Sequence, residues 1–570
     1  MKMFAVSDAW SLAKQVINGR WFTVFASFLI MSVAGATYTF ALYSKDIKTT
    51  LGYDQKTLNT VAFFKDLGSN NGIIAGIISE IVPPWIVLSV GAIMNLFGYL
   101  MIYLCLTGYL RHPHLWLICL SITVGAHSQS YTNTGVLTTC VKNFPESRGI
   151  ILGLLKGFVG LSSAIFTQLY LAFYGNDSKS IVLLIAWLPA AISVVFAYTI
   201  QIKKVVRQDN ELKVFCYFLC ISLILATFLM IIIIMEKRYT FTHIEYTASA
   251  VAIMFLLFLP LLVIIREEFF LWKQTTINPR LIQITYVSPP LPPPPLPPPP
   301  PTTTTTTTNS TTSIKFDLDN ITTMFKPPKR GEDYSILQAI VSIDMLIIFF
   351  ANFCGVGGML TGIDNMSQIG ESLGYPSHSI NTFISLISIW SYVGRVTSGF
   401  TSEILLSKYK FPRPLMLSVI HLLSCSGHLL IAFGIPGSLY AASLIMGFCL
   451  GAQIPLCLSI ISELFGLKYF ATLYNFVGLA SPLASYILNV RITGHLYDKE
   501  VAKQNRETKT CIGVECFKLS FLIITAFAIA GALVLMVLVW RTRDFYKGEI
   551  YAKFKETRED RVEIKESSNQ

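Results

Sequence analysis

The feature that most constrains this chain is a run of about 20 apolar residues, long enough to cross a ~30 Å hydrocarbon layer, that recurs from Trp21 almost to the C-terminus. A soluble chain of 570 residues would divide into three or four domains. Here the apolar runs leave room for one membrane domain and little else. Composition agrees, because 14% charged and 53% hydrophobic residues, with a mean hydropathy of +0.57, fall far from the roughly 25% charged residues of soluble domains. The reading is an all-α polytopic membrane protein.

The predicted spans are Trp21 to Tyr43, Leu58 to Glu80, Pro84 to Leu106, Leu115 to Thr138, Ile150 to Tyr174 and Ile181 to Ile200, then Val214 to Met235 and Ile244 to Ile265. After a polar stretch come Ile336 to Leu360, Ser377 to Gly399, Pro414 to Gly434, Leu439 to Ile461, Tyr469 to Val490 and Leu519 to Trp540, about fourteen spans in all. The first run is full length and follows Lys14 and Arg20, so it is expected to stay as a span rather than leave as a signal peptide.

Short cytoplasmic loops are rich in Lys and Arg. An inside N-terminus places Lys2, Lys14 and Arg20, Lys142 and Arg148, Lys203, Lys204 and Arg207, Lys408, Lys410 and Arg413, and the tail from Arg541 on one side. The loop from Asp364 to Gly374, without Lys or Arg, falls on the other. Both termini are thus expected in the cytoplasm of a plasma membrane or endomembrane protein. The net charge of +11 is topological and implies no nucleic acid.

Pro289 to Pro301 is proline broken only by Leu291 and Leu296, and Thr302 to Thr308 is pure threonine. Such a tract is extended polyproline II, either a spacer between spans or a docking ligand for a cytoplasmic partner. Nine cysteines lie in or beside apolar runs and read as packing residues. Cys511 and Cys516 occupy a polar loop and can pair if it faces an oxidising compartment, although their spacing does not require it. Asn176 and Asn365 head glycosylation sequons on expected outer loops. Asn309 and Asn320 head sequons on the expected cytoplasmic linker, so a glycan at Asn309 would overturn the topology.

The ends of the chain repeat each other in order. Gly76-Ile-Ile-Ser-Glu80 returns as Gly399-Phe-Thr-Ser-Glu403, Pro84-Trp-Ile-Val-Leu-Ser-Val90 as Pro414-Leu-Met-Leu-Ser-Val419, and Phe158-Val-Gly-Leu-Ser-Ser163 as Phe476-Val-Gly-Leu-Ala-Ser481, with offsets of 323 residues for the first pair and 318 for the last. Two parallel six-span halves are the arrangement of the major facilitator fold, whose site lies near mid-membrane between them. The organisation expected is a cytoplasmic N-terminus (1–20), a first half (21–205), two additional helices (206–266), a Pro/Thr linker (267–335), a second half (336–541) and a charged tail (542–570).

Phe63-Phe-Lys-Asp-Leu-Gly68, Cys140-Val-Lys-Asn-Phe-Pro-Glu-Ser-Arg-Gly149, Leu155-Lys-Gly-Phe-Val-Gly-Leu161, Ile165-Phe-Thr-Gln168, Ser462-Glu-Leu-Phe-Gly466, Leu473-Tyr-Asn-Phe476 and Gly494-His-Leu-Tyr-Asp498 together resemble the plant nodulin-like, or nuclear-fusion-defective-type, branch of the major facilitator superfamily. The resemblance covers Arg20 to Tyr546 apart from the Pro/Thr linker. It implies a plant membrane protein distantly similar to oxalate/formate-type carriers, with no settled substrate.

No Walker loop, HExxH, Cys-x-x-Cys pair or nucleophile elbow is present, so no enzyme, cofactor or metal is expected. Charges inside spans cost ~2.5 kcal/mol or more at a helix centre and so face a cavity or a partner. The candidates for substrate or proton contact are Lys65, Asp66, Lys156, Asp344 and Arg395, joined by His127. Lys65 and Asp66 stand about 100° apart on a helix and are each expected to need another partner. His127 and Asp344 are expected near the bilayer middle, on spans that line the cavity in the resembled superfamily. A structural pairing is the alternative role for each of these charges, and a hydrogen bond to a neighbouring helix for His127.

Glu80 and Glu403 end equivalent spans. In the resembled architecture each meets the fifth span of the other half, so Glu80 is expected at a helix N-terminus near Lys468, and Glu403 at one near Arg148, as two symmetric inner latches. Ile-Val-Pro-Pro after Glu80 replaces the family's basic run, which weakens the first latch. The function expected is secondary transport of a small polar or anionic solute, with protons as a partner ion. The alternative is a non-transporting membrane factor that uses the fold as a scaffold and the Pro-rich linker as an interaction arm.

Overall fold

The computed structural model describes residues 6–53, 55–110, 113–175, 178–203, 210–239, 241–277, 327–504 and 511–551. The first half begins with an amphipathic helix α1 (Val6–Asn18), bent by 64° against α2 (Arg20–Val33). A 3-10 turn at Ala36–Thr39 separates α2 from α3 (Phe40–Leu51). A second interrupted span is α4 (Gln55–Asn70) and α5 (Ile73–Ile81). Then follow α6 (Pro84–Leu106), α7 (Leu115–Asn143), α8 (Arg148–Tyr174) and α9 (Ser178–Ala197). Pro84 opens α6 where its missing N–H has no intrahelical partner to lose.

The inserted pair is α10 (Glu211–Arg238) and α11 (His243–Ile277). The second half comprises α12 (Ile336–Val341), α13 (Ile343–Asp364), α14 (Met366–Ser372), α15 (Ser377–Tyr409), α16 (Arg413–Phe433) and α17 (Ser438–Leu464). Its penultimate span is composite: α18 (Phe470–Gly478), α19 (Ala480–Ala484), a π-helical segment Ser485–Gly494 and α20 (His495–Gln504). The chain closes with α21 (Glu515–Lys547).

Among the described residues, ten helices are long and apolar enough to cross a membrane, or up to eleven when the bent α1–α2 pair is counted as one span. The other predicted spans are helical too, but α4–α5 is broken, and α7 and α15 carry more polar residues than that criterion admits. Fourteen crossings therefore stay an expectation. Outward faces expose Phe97, Val195, Phe255 and Leu533 at more than 60% each, side chains that lipid covers.

Two boundaries differ from the sequence reading. The run from Ile336 breaks at Ser342, whose extended backbone starts a new helix and whose Oγ accepts from the Met345 N–H at 3.2 Å. Helix α11 runs on to Ile277 instead of yielding to the linker at residue 267. The Pro/Thr tract, Asn309 and Asn320 lie outside the described residues.

The inserted pair is held to the first half by polar contacts at both ends. On the inner face, the one assigned to the cytoplasm by loop charge, Arg20 pairs with Glu211 at 2.5 Å and Gln15 donates to Glu268 at 3.2 Å. Toward the other face, Gln168 of α8 donates to Glu236 at 3.2 Å, Tyr246 donates to Glu236 at 3.1 Å, and Ser249 donates to Gln168 at 2.8 Å. Buried polar groups in a bilayer need such partners, which is how so apolar a pair is placed on one flank.

Candidate functional site

The halves meet along two seams, α8 against α15 and α5 against α18. Each seam passes through the glycine that opens the repeated motif. A Cβ on Gly399 would stand 2.5 Å from the Gly149 carbonyl oxygen and 3.0 Å from the Gly153 Cα, and one on Gly76 would stand 2.8 Å from the Thr472 Cα. Backbone lies directly on backbone, which a side chain would prevent.

Above the seams, three hydrogen bonds reach two neighbouring residues of α7, and a fourth joins Lys156 to the other half. Thr134 Oγ1 lies 2.8 Å from Tyr474 Oη and accepts from Asn475 Nδ2 at 2.9 Å. Next to it, Asn133 Oδ1 accepts from Lys156 Nζ at 3.1 Å. The Lys156 carbonyl accepts from Arg395 Nη1 of the other half at 2.7 Å. Lys156 is half-buried and Arg395 is 5% exposed. Gly160 leaves the space that the Arg395 guanidinium fills, since a Cβ there would stand 2.7 Å from Nη1. Two cations from opposite halves are thereby close enough to interact. On the far side, Gln453 donates to Asn352 at 3.3 Å, Asn352 donates to the Val477 carbonyl at 3.1 Å, and the Phe349 and Phe476 rings lie 5.3 Å apart.

Family models match this chain along most of its length: a nodulin-like domain over residues 20–265 and an NFD4 C-terminal domain over 332–548. Its first half is a nodulin-like domain and its second an NFD4 C-terminal domain. The Arabidopsis thaliana protein NUCLEAR FUSION DEFECTIVE 4 is 23% identical over 544 residues, 92% of this chain and 89% of that one. A Yarrowia lipolytica protein named "Probable transporter MCH1" is 28% identical over 231 residues, 38% of this chain and 47% of that one. Among solved structures, the proton:xylose symporter XylE bound to 6-bromo-6-deoxy-D-glucose shares the fold with a TM-score of 0.53 at 11% identity, covering 91% of this chain and 95% of its own.

The nodulin-like fold brings some predicted residues together and parts others. Asp344 is not at mid-membrane. Because α13 starts at Ile343, the carboxylate sits in its first turn at the inner face, held by Arg330 Nε at 3.0 Å and Nη2 at 2.9 Å and by Arg541 Nε at 2.6 Å. Lys65 and Asp66 do reach each other, at 2.9 Å, because the four-carbon lysine stem folds back across the 100° between them. Asp364 of the second half lies close enough to interact with both charges. His127 Nδ1 is 3.1 Å from the Gly68 carbonyl, the neighbouring-helix bond that was its structural alternative.

The two latches are unequal. Glu403 accepts from the Gly149 N–H at 2.9 Å, in the first turn of α8 as expected, but its cation is Arg413, at 2.8 Å, rather than Arg148. Arg148 instead donates to the Ser462 carbonyl at 2.8 Å. Glu80 faces the backbone of Ala471 and Thr472, and its cation is Lys142, at 4.0 Å, not Lys468. The Lys468 N–H is taken by Asp333 at 3.1 Å and its ammonium lies 5.1 Å from the Tyr469 ring.

Arg413 and Glu463, which pair at 2.7 Å with both side chains fully buried, were missed as site residues. Glu463 closes the fourth span of its half and Arg413 stands one residue before the proline of the repeated motif, so both were visible as charges at span ends. Asn133 and Thr134 gave no signal beyond being polar residues in an apolar run, whereas Tyr474 and Asn475 stand in the Leu473-Tyr-Asn-Phe476 stretch that carries the resemblance, from which no role was read.

Cys511 and Cys516 are joined by a disulfide. Asn365 Nδ2 donates to Thr361 O and Asn489 Oδ1, each at 2.7 Å, so the amide that would carry a glycan is engaged within the fold. Asn176 lies outside the described residues. Among the described residues no cluster of three His, Cys, Asp or Glu side chains could hold a metal ion.

Proposed function

We propose that this protein is a secondary transporter that moves a small anionic solute between its two halves by alternating access. One observation carries the reading: Lys156 and Arg395, contributed by opposite halves, stand side by side at the seam, and Lys156 has an uncharged amide as its hydrogen-bond partner. An intramembrane cation costs ~2.5–3.5 kcal/mol. Two of them together repel, and an anion between them offsets both costs while drawing the halves onto each other. A coupled proton falls to the outer group of Asp66 and Asp364 beside Lys65, because Asp344 is already held by two arginines.

The test is flux of carboxylates and inorganic anions into reconstituted vesicles, with and without a proton gradient. Lys156→Gln and Arg395→Gln are each expected to lower anion flux roughly tenfold or more, a loss of about 1.4 kcal/mol per decade. Flux of a neutral solute that both variants leave intact would defeat the anionic reading.

A further inference from the structure

Beyond α21 the chain turns back under the molecule. Gly548 ends the helix, and Ile550 and Tyr551 pack against the main core. Tyr551 Oη lies 3.0 Å from Glu403 Oε1 and 3.1 Å from Glu463 Oε1, and accepts from Arg413 Nη2 at 3.3 Å. Its ring lies under the Arg148 guanidinium, with 5.5 Å between Cζ and the ring centroid. Glu403, Glu463 and Arg413 belong to the second half, whereas Arg148 opens the fifth span of the first. One tyrosine from outside both bundles therefore touches both.

Tyr546, five residues earlier, makes a useful contrast. It is 1% exposed and donates to Glu463 Oε2 at 3.0 Å, a contact wholly within the second half. Both tyrosines serve the same carboxylate, but only Tyr551 bridges the seam.

We propose that Tyr551 is a bolt across the inner face, a positioning residue whose withdrawal must precede parting of α8 from α15. The groups that face it are Glu403 on α15, Arg413 on α16, Glu463 on α17, Arg148 on α8 and Tyr546 on α21. The bolt holds by a phenol O–H shared between two carboxylates and by a cation–π contact, which is worth about 0.5–2 kcal/mol according to desolvation. Only the Arg148 contact crosses the seam and is lost when the halves separate, while the hydrogen bonds to Glu403 and Glu463 stay within the second half and hold the ring in place for it. The role is independent of which solute is carried. Burial, and then the two carboxylates, push the Tyr551 hydroxyl well above its ordinary range, so it keeps the proton that it donates.

The experiment is hydrogen–deuterium exchange on the full chain in lipid nanodiscs, read at peptides spanning residues 145–153 and 466–474, with melting temperature measured alongside. Tyr551→Ala is expected to speed exchange at 145–153 roughly tenfold, equivalent to about 1.4 kcal/mol of opening. Tyr551→Phe keeps the ring and is expected to give a smaller increase. Tyr546→Phe should lower the melting temperature while leaving 145–153 unchanged. Wild-type exchange in both Tyr551 variants would overturn the bolt, as would Tyr546→Phe accelerating 145–153 as much as Tyr551→Ala does. If Tyr551→Ala does not fold, the Tyr551→Phe result decides.

Discussion

The two inner seams occupy equivalent places in a duplicated chain, and yet they are fastened differently. Lys142 is the penultimate residue of α7 and Glu463 the penultimate residue of α17, so corresponding positions carry opposite charges. Pro83 stands before the proline of α6, where Arg413 stands before the proline of α16. Both carboxylates face the backbone at a helix start, but Glu80 has one cation, at 4.0 Å, whereas Glu403 has a buried guanidinium at 2.8 Å and a tyrosine. Duplication has kept the carboxylate and the contact glycine while the groups that answer the carboxylate diverged. One seam is mainly packing; the other is packing and charge.

The largest test of that contrast is Arg413→Met, which strands Glu403 and Glu463 without their cation. Removing one partner of a buried pair costs ~3–5 kcal/mol, so the melting temperature in nanodiscs should fall far more than for Lys142→Met, where a partly exposed, long-range pair contributes under ~1 kcal/mol. An equal fall in both would erase the distinction. Next in size, Gly153→Val and Gly76→Val each force backbone apart, at ~1–3 kcal/mol for overpacking. Cysteine labelling from the inner face should rise for both, since glycine contact is what the seams share. Of similar size is Thr134→Val, expected to cost about 1–3 kcal/mol by leaving Asn475 and Tyr474 short of a buried partner, and to loosen the α5–α18 seam more than its counterpart in exchange measurements.

The smallest effect is that of pH. With its pKa raised on folding, Tyr551 contributes docking that is fully present below the ordinary tyrosine value of about 10 and is lost only as pH rises through the higher folded value. Exchange at 145–153 should therefore be flat between about pH 6 and 9 as far as this residue is concerned. A rise within that window which Tyr551→Phe abolishes would contradict the assignment.

Much of the architecture was legible because lipid imposes simple rules: run length gave the helices, and the repeated Gly…Ser-Glu motif marked the seams. Burial in lipid says nothing about which polar neighbour a side chain finds, and here the reading thinned. Asp344 was placed at mid-membrane because the apolar run continues through Ser342. A readable signal was overlooked, since Ser335 and Gln338 form a capping box and Ser342 caps a second helix soon afterwards. Lys65 and Asp66 were separated by counting Cα directions and ignoring the length of the lysine stem. The partnership of Glu403 with Tyr551 joins positions 148 residues apart, and no local pattern announces it.

The inserted pair has a mechanical consequence. It is fastened to the first half near both ends, while a hydrogen bond of 2.8 Å, from Tyr392 to Ser222, joins α10 to α15 of the second half. In any rocking of the halves the pair is ballast on one arm. The connection leaving that arm at Ile277 is moored on the other, where Asp333 accepts the Leu467 N–H at 2.9 Å and the Tyr334 N–H donates to the Phe465 carbonyl at 3.1 Å. If the halves rock as proposed, the distance between those two moorings changes with each stroke.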